Sequence, residues 1–307
     1  MSSNKWDRVE RLLGVETLNF LKTRKVAVIG LGSGGGFVAM GLAMSGVSNF
    51  VLIDEDVIEA HNVVRHVASY HDIGRPKVEV VSELIQKQNL DATVKAVRGR
   101  IEQHQDAIDD VDLVVCAVDG EGAKFLINDL CLKKNLKAIY AGVYERGEGG
   151  DVTVIKPYDG PCYACWASTL REGYIHPSPD GSNELDYGLI NDQGTLDAEP
   201  GLWLHVVRVA ATQADMALNT LIEGMPAHRA LPGNTVILAN GEIEVFQGHR
   251  TLPYSAEWVT IERNPACLVC GSKHMEAAVE TLSLDALGSD MITLEDEDEV
   301  EENDRRN

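Results

Sequence analysis

Four cysteines form two pairs with the spacing of metal ligands. Cys162 and Cys165 make up the first pair, and Cys267 and Cys270 make up the second. Two Cys-x-x-Cys pairs are typical of a closed tetrahedral zinc site, which leaves no coordination position for a substrate. The first 20 residues lack the apolar core of a secretion signal, so we expect metal binding before disulfides. The spacing predicts a structural zinc site.

Polar and charged side chains suited to polyphosphate chemistry form a second group. In chain order they are an N-terminal arginine, Arg8 or Arg11, followed by Asp54, Asn62, Arg65, Lys77 and Asp119. Cations stabilise the charge that develops on phosphate oxygens as pyrophosphate leaves, and a carboxylate can hold Mg²⁺ beside them. A hydride-transfer site has no need of such a cluster. We therefore favour adenylyl transfer from ATP over NAD-dependent dehydrogenation, which would have no use for Lys77.

The elements that position these groups begin with a β-α-β pattern. Its parts are an apolar run at residues 26–29, the turn Gly30-x-Gly32-x-x-Gly35, and a second apolar run at 50–53 that is followed by Asp54. Glycines let the chain turn tightly and bring backbone N–H groups close to a polyphosphate, while the acid after the second strand can hold ribose hydroxyls. The pattern predicts a nucleotide site. A glycine-rich turn that serves only close helix–strand packing is the alternative.

Lys77 and Asp119 are predicted to lie at the carboxyl edge of the sheet, where ligands collect in α/β folds. Lys77 follows Pro76, a preferred first-turn residue of a helix. It can reach a phosphate there, and an ordinary surface lysine is the alternative. Asp119 follows residues 112–117, an almost wholly apolar run typical of a parallel strand covered on both faces. This acid could hold Mg²⁺ or cap the helix after it.

The same patterns predict the remaining elements. Strands are expected at residues 92–97, 112–117, 137–141 and 151–155, and helices from Pro76 and over 122–133 and 202–222. The Gly- and Pro-rich residues 169–200 are predicted to form a long surface loop. Asn240-Gly241 separates two apolar runs, 235–239 and 242–246, and predicts a type I′ hairpin.

The fold class is therefore α/β. We predict a Rossmann-like, doubly wound, mainly parallel sheet with a C-terminal antiparallel extension and a structural zinc site of four cysteines. The parts are a helical arm at 1–24, an ATP-binding core at 25–160, a zinc-tied loop, helix and hairpin at 161–275, and an acidic tail at 276–307. Seven carboxylates in the eight residues 295–302 repel one another, so we expect that tail to be disordered.

Composition limits the function. The 307 residues are 44% hydrophobic and 24% charged, which is ordinary for a globular protein. No apolar run approaches the ~18 residues of a membrane span, so we expect a cytoplasmic protein without a membrane partner. The net charge of −21 argues against a broad nucleic-acid surface, because cation–phosphate contacts supply most of that affinity. The net charge does not exclude a local basic pocket that binds nucleic acid.

In their order along the chain, the motifs resemble those of the ThiF/MoeB/HesA superfamily, the adenylyltransferases related to ubiquitin-activating enzymes. The resemblance runs from about Trp6 to Cys270. It rests on Gly30-Leu-Gly32-Ser-Gly-Gly35, Asp54-Glu-Asp56 with Asn62-Val-Val-Arg65, Gly74-Arg-Pro-Lys77, Ala117-Val-Asp119 and the two Cys-x-x-Cys pairs. Each motif alone is weak, but several in the right order are specific.

The resemblance implies an α/β ATP-binding fold, usually a homodimer, that adenylates a carboxylate. The partner is often a ubiquitin-like protein, or a peptide, with a free C-terminal carboxylate. By position, Asp54 resembles the ribose ligand, Asp119 the Mg²⁺ ligand, and Asn62, Arg65 and Lys77 the phosphate-binding group. Trp6-Asp7-Arg8 resembles the family's aromatic-x-Arg, whose arginine reaches the γ-phosphate across the dimer.

The sequence departs from the family pattern at two places. Many members have Gln or another residue where His66 stands. Thioester-forming members carry a cysteine between the first Cys-x-x-Cys and the next helix, but this chain has none between Cys165 and Cys267. Cys116 and Cys131 are predicted to be buried core thiols. The expected product is therefore an acyl-adenylate that another thiol or amine accepts.

Two other functions stay open at this point. The arm with Arg8-x-x-Arg11-Leu-Leu-Gly14 also resembles members that dehydrate a modified tRNA adenosine, although the net charge of −21 disfavours that function. The second open function is that of a non-catalytic nucleotide-binding subunit in an activating complex. Such a subunit is expected to lose Arg65, Lys77 or Asp119, and all three are present.

Overall fold

The computed structural model describes residues 5–173, 201–246 and 248–271. Its helices are α1 (Asp7–Leu13), α2 (Val15–Thr23), α3 (Gly35–Met44), α4 (Lys77–Gln88), α5 (Glu121–Lys134), α6 (Tyr163–Gly173) and α7 (Trp203–Leu221). Its strands are β1 (Lys25–Ile29), β2 (Asn49–Asp54), β3 (Thr93–Arg98), β4 (Leu113–Cys116), β5 (Ala138–Val143), β6 (Gly149–Ile155), β7 (Thr235–Ala239), β8 (Ile243–Phe246), β9 (His249–Thr251) and β10 (Ala256–Val259).

An eight-stranded sheet organises the chain, in the order β10-β7-β6-β5-β4-β1-β2-β3. Five neighbouring strands, β5-β4-β1-β2-β3, pair in parallel. Beyond β5, the strands β6, β7 and β10 extend the sheet with antiparallel pairs. This topology confirms the predicted α/β fold with a C-terminal antiparallel extension. It also places the carboxyl ends of β1, β2 and β4 at one edge, because these three strands are parallel neighbours.

Alternate residues of the central strands belong to two separate hydrophobic cores, one on each face of the sheet. In β1, Val26 and Val28 pack against residues of α3, α4 and α7, whereas Ala27 and Ile29 pack against residues of α5 and α6. A strand period of two requires this division, since successive side chains point to opposite faces. Helices therefore cover both faces of the sheet, as the buried, apolar sequences of β1 and β4 predict.

Most predicted boundaries of helices and strands agree with the structure to within two residues. The amphipathic N-terminal segment contains α1 and α2, and the strand predicted at 92–97 is β3 at Thr93–Arg98. The helix predicted at 122–133 is α5 at Glu121–Lys134. Among the described helices, none combines the length and the apolar character that crossing a membrane requires.

The predicted hairpin of residues 235–239 with 242–246 is wrong. β7 pairs with β6 and β10, and β8 pairs with β9 in a separate two-stranded sheet. Every residue of β7 is buried, so this strand requires a partner at each edge, which a local hairpin with one neighbour does not supply. The backbone N–H groups of Asn240 and Gly241 both donate to the Glu148 carbonyl at 2.8 Å. These bonds hold the turn against the β5–β6 connection instead.

The predicted surface loop also needs a correction at its start. Residues 169–173 belong to α6, which runs on to Gly173. The hydroxyls of Ser168 and Thr169 donate to the Cys165 carbonyl at 2.9 and 3.0 Å, so these polar side chains find acceptors within the helix. The rest of that loop, residues 174–200, and the acidic tail from 276 lie outside the described residues.

Candidate active site

The glycine turn after β1 combines two glycines that packing requires with one that packing does not explain. Gly30 has φ +86°, and a Cβ at Gly30 would lie 2.6 Å from the Ala117 carbonyl oxygen. A Cβ at Gly35 would overlap the Gly30 carbonyl oxygen. A Cβ at Gly32, in contrast, would meet no atom within 4 Å. Close packing thus explains Gly30 and Gly35, while Gly32 faces open space.

The same turn carries backbone N–H groups that have no hydrogen-bond acceptor among the described residues. Within the described part of the chain, the N–H groups of Gly32, Ser33 and Gly34 donate no hydrogen bond. The turn leads directly into α3, where the N–H of Gly36 donates to the Gly32 carbonyl at 3.1 Å. Free N–H groups at the N-terminus of a helix form a site for an anion such as a phosphate.

Asp54, the predicted ribose ligand, also holds this turn. Its Oδ2 accepts the Leu31 N–H at 2.6 Å, and its Oδ1 accepts the Asp56 N–H at 2.8 Å. Sequence reasoning missed this second role, since the bond joins residues 23 positions apart. Each carboxylate oxygen has a further lone pair, so the half-buried side chain can still accept ribose hydroxyls.

Lys77 and Asp56 form an ion pair at the same edge of the sheet. The Lys77 Nζ lies 2.7 Å from Asp56 Oδ2, and the Lys77 N–H donates to the Asp56 carbonyl at 3.0 Å. The lysine side chain is 11% exposed, whereas the aspartate side chain is 60% exposed. Lys77 is the first residue of α4, one position after the predicted start at Pro76. Its ammonium group has two further N–H donors for a phosphate.

Asn62 and Arg65 lie together on one short turn. Arg65 ends the 3-10 helix Val63–Arg65, and its N–H donates to the Asn62 carbonyl at 2.8 Å. The Asn62 Oδ1 accepts the Glu59 N–H at 3.0 Å, which fixes the side chain. Arg65 is half-buried and takes part in no ion pair with the residues that the structure describes. Its guanidinium charge is available to a ligand.

His66 occupies a buried position directly after Arg65. Its Nε2 lies 2.7 Å from the Leu31 carbonyl oxygen, and its Nδ1 accepts the Ala68 N–H at 2.9 Å. Burial lowers the pKa of the imidazole below its usual 6.5. Sequence reasoning noted His66 only as a departure from the family pattern and gave it no role.

Asp119 and Arg8 are the two remaining predicted site residues, and they lie in different parts of the fold. Asp119 is exposed beyond the end of β4, and α5 begins after Gly120 without a side-chain cap. The capping alternative for Asp119 is therefore not supported. Arg8 lies on α1 beside Arg11, which pairs with Asp7. No hydrogen bond or ion pair of the described chain joins Arg8 to the glycine turn.

Cys116 and Cys131 are buried core thiols, as predicted. Cys116 lies inside β4, and Cys131 lies on α5. Burial raises the pKa of each thiol to about 12. Both therefore stay protonated at neutral pH, and a protonated, buried thiol is a poor nucleophile.

The four remaining cysteines have the arrangement of a metal site. Cys162, Cys165, Cys267 and Cys270 are all buried, and their sulfur atoms lie within 4.8 Å of one another. The Sγ atoms of Cys162 and Cys165 are 3.8 Å apart. Zinc–sulfur bonds of about 2.3 Å in a tetrahedron give sulfur–sulfur separations of about 3.8 Å. The donor set therefore fits zinc, with no vacant position for a substrate.

The order of the strands, the glycine turn and the charged carboxyl edge of the sheet are together typical of an α/β nucleotide-binding protein. The chain belongs to the ThiF family, whose family model matches residues 7–228. The SAMP-activating enzyme E1 of Haloferax volcanii is 27% identical over 287 residues, covering 92% of each chain. Ubiquitin-like modifier-activating enzyme 5 of Bombyx mori is 29% identical over 181 residues, which cover 54% of this chain and 46% of that protein.

One solved structure extends the comparison to three dimensions. The crystal structure of Escherichia coli MccB with ATP superposes with a TM-score of 0.66, covering 88% of this chain and 75% of that one. The two sequences are 21% identical. At this identity, the similarity shows a shared fold.

Substitutions at Gly32 and Gly35 separate ligand binding from packing. We expect Gly35→Ala to lower the free energy of unfolding by at least ~2 kcal/mol, because its methyl group overlaps the Gly30 carbonyl. Gly32→Ala is expected to change stability by less than about 0.5 kcal/mol but to weaken ATP binding at least about tenfold. Urea denaturation and titration calorimetry measure the two effects. Unchanged ATP affinity in a folded Gly32→Ala protein would contradict a polyphosphate at this turn.

Proposed function

We propose that this protein is an ATP-dependent adenylyltransferase. Its substrate is the C-terminal carboxylate of a ubiquitin-like protein or peptide, which it converts to an acyl-adenylate. The observation that carries this proposal is the set of N–H groups at Gly32, Ser33 and Gly34, which donate to no described residue, at the sheet edge that also holds Lys77. The proposed parts are a helical arm at 1–24, an ATP-binding core at 25–160 and a zinc-tied part at 161–275.

Each residue of this edge has a task in the proposed reaction. The free N–H groups and Lys77 bind the phosphates, and Asp54 accepts the ribose hydroxyls. One carboxylate oxygen of the substrate attacks the α-phosphorus and forms a new P–O bond. The bond to the bridging oxygen breaks, and its electron pair leaves with pyrophosphate. Arg65 and Lys77 stabilise the charge that builds on the phosphate oxygens.

Magnesium fits the acid at the end of β4. Asp119 is exposed, is not engaged as a helix cap, and offers the oxygen ligand that Mg²⁺ prefers. When bound, the cation neutralises charge on the phosphate oxygens as pyrophosphate departs. Asp119 holds it there in the proposed site.

The acyl group is passed to another molecule in this proposal. Burial keeps Cys116 and Cys131 protonated, and the other four cysteines are grouped as metal ligands. No thiol of the chain is left to form a thioester at the usual place. A thiol or amine of a second protein or small molecule is therefore the acceptor.

Relatives give the proposal its substrate class. The Haloferax volcanii relative, aligned over nearly its whole length, is a SAMP-activating enzyme, and the Bombyx mori relative activates a ubiquitin-like modifier by its name. MccB, which shares the fold, has been solved with ATP and with N-formylated MccA. A cytoplasmic location, where thiols stay reduced, suits the proposed zinc ligands. The tRNA-modifying alternative has no comparable support.

Pyrophosphate exchange tests the reaction directly. We expect radiolabelled pyrophosphate to enter ATP only when a ubiquitin-like protein or peptide with a free C-terminal carboxylate is present. The matched control is the same peptide with a C-terminal amide. Asp119→Asn is expected to slow exchange at least ~100-fold, because it removes the proposed Mg²⁺ ligand charge, while Asp159→Asn is expected to have no effect. Exchange that persists with the amide, or with Asp119→Asn, would contradict the mechanism.

Arg8 is expected to act across a homodimer. Arg8→Ala and Lys77→Ala should each abolish exchange, since each removes a cation from the polyphosphate site. When the two variants are co-expressed, half of the dimers contain both, and one site of each such dimer is intact, which restores roughly a quarter of wild-type activity. Arg11→Ala, the matched control, is expected to stay active. No recovery in isolated mixed dimers would show that Arg8 acts within its own chain or not at all.

Zinc is expected to be structural. We expect one zinc ion per chain by elemental analysis, and loss of that ion in Cys165→Ser, with a lower melting temperature. Cys131→Ala, which alters a buried thiol outside the cluster, is expected to keep its zinc. A zinc-selective chelator, added with Mg²⁺ kept in excess, should reduce exchange only as far as the protein unfolds, measured by circular dichroism. A zinc content well below one per chain would rule out the site.

A further inference from the structure

The hydrogen bonds of His66 define one protonation state of its ring. The side chain is 5% exposed, and its Nδ1 accepts the Ala68 N–H at 2.9 Å. An accepting Nδ1 carries no proton, so the proton of the neutral ring is on Nε2. That Nε2–H donates to the Leu31 carbonyl, 2.7 Å away. The geometry thus requires a neutral imidazole in a single tautomer.

The Leu31 carbonyl fixes the direction of a nucleotide-binding donor. In a planar trans peptide, the C=O of Leu31 and the N–H of Gly32 point in opposite directions. A bond from His66 to the Leu31 oxygen therefore turns the Gly32 N–H away from the imidazole. The peptide on the other side of Leu31 is fixed as well, because the Leu31 N–H donates to Asp54 at 2.6 Å.

The ring also joins the glycine turn to the segment that carries Arg65. His66 follows Arg65 in the chain and contacts a carbonyl 35 positions away. The ring packs over the start of α3, where a Cβ on Gly36 would lie 3.3 Å from Nε2. One side chain thus connects a cation of the proposed site with its backbone donors.

Several charged groups act on His66. Burial has the largest effect and lowers its pKa, and the positive charge of Lys77 lowers the pKa further. The bond to the Leu31 carbonyl and the charges of Asp54 and Asp72 oppose this shift. The pKa of the folded protein lies below 6.5, the value of an unperturbed histidine. The stabilising contribution of the neutral ring is therefore complete above pH 6.5 and is lost as pH falls through the lower pKa of the folded protein.

We propose that His66 is a positioning residue of the nucleotide site, whose neutral ring holds the Gly32 N–H in the binding direction and whose protonation at acid pH releases the turn. Protonation places a hydrogen on Nδ1 against the Ala68 N–H, so two donors face each other. The role in ATP affinity rests on the proposed function, since ATP is the ligand only there.

His66→Gln is the variant that tests this role. A glutamine amide supplies one donor and one acceptor but does not titrate in this pH range. Wild-type ATP affinity, measured by calorimetry from pH 8 down through the acid range in which the ring signals of His66 are seen to titrate, is expected to fall roughly tenfold for each pH unit below the pKa of His66. His66→Gln is expected to bind as wild type at pH 8 and to lose this dependence. The γ-phosphate of ATP also gains a proton in the acid range. The pH dependence of ATP affinity in His66→Gln therefore serves as the baseline for the wild-type measurement.

Two controls separate positioning from folding. His71→Gln changes an exposed histidine and is expected to keep the wild-type pH profile. His66→Leu fills the space but lacks both hydrogen bonds, and we expect it to bind ATP at least about fivefold more weakly at every pH. Circular dichroism establishes that each variant is folded at each pH. An identical acid loss in wild type and His66→Gln, or wild-type affinity in folded His66→Leu, would overturn the role of His66.

Nuclear magnetic resonance tests His66 without ATP. In protein labelled with ¹⁵N, the ring is expected to show the Nε2–H tautomer at pH 8, and the amide signals of Leu31 and Gly32 are expected to shift as His66 titrates. If wild-type protein bound no ATP at any pH, the proposed function would fail, and these signals would still decide the positioning of the turn. A Nδ1–H tautomer, or a Gly32 signal unaffected by the titration, would contradict it.

Discussion

The backbone at Gly35 lies so close to the carbonyl of Gly30 that no side chain fits between them. This contact fixes where α3 starts relative to β1, and Gly30 itself lies against Ala117 beyond the end of β4. Three elements thus meet at one point of the sheet edge. Because β2 and β4 flank β1 as parallel neighbours, the residues after each strand come to the same edge. The charged groups of the proposed site depend on that convergence.

The site is held together by its own polar groups before any ligand binds. Asp54 uses both oxygens to fix backbone N–H groups, and Asp56 holds Lys77. Asp56 is the more exposed partner of this pair, so water can solvate its carboxylate if Lys77 turns to a phosphate. A chain with a net charge of −21 repels polyanions at long range. Its affinity for a nucleotide must therefore come from short-range contacts with groups such as the turn N–H donors and Lys77.

Local sequence patterns were enough to predict the glycine turn, strands β1 to β6 and most of the helices, because each depends on a short period or on a few neighbouring residues, but they did not predict α6, β9 or β10. Strand pairing in the C-terminal part was not predictable in this way. Asn240-Gly241 favours a hairpin locally, but β7 is buried throughout and pairs with strands that are distant in the chain. The bonds of Lys77 to Asp56 and of His66 to Leu31 join residues 21 and 35 positions apart. Only the folded chain brings such groups together.

The distribution of cysteines limits what the proposed enzyme can do with its product. All six cysteines of the chain are buried, two as core thiols and four as the proposed zinc ligands. An acyl-adenylate formed at the glycine turn therefore has no thiol of this chain to react with. Because an acyl-adenylate is also open to attack by water, the acceptor must reach the site while the intermediate is still bound. Selection of that acceptor, and not a covalent enzyme intermediate, then determines where the activated carboxylate goes.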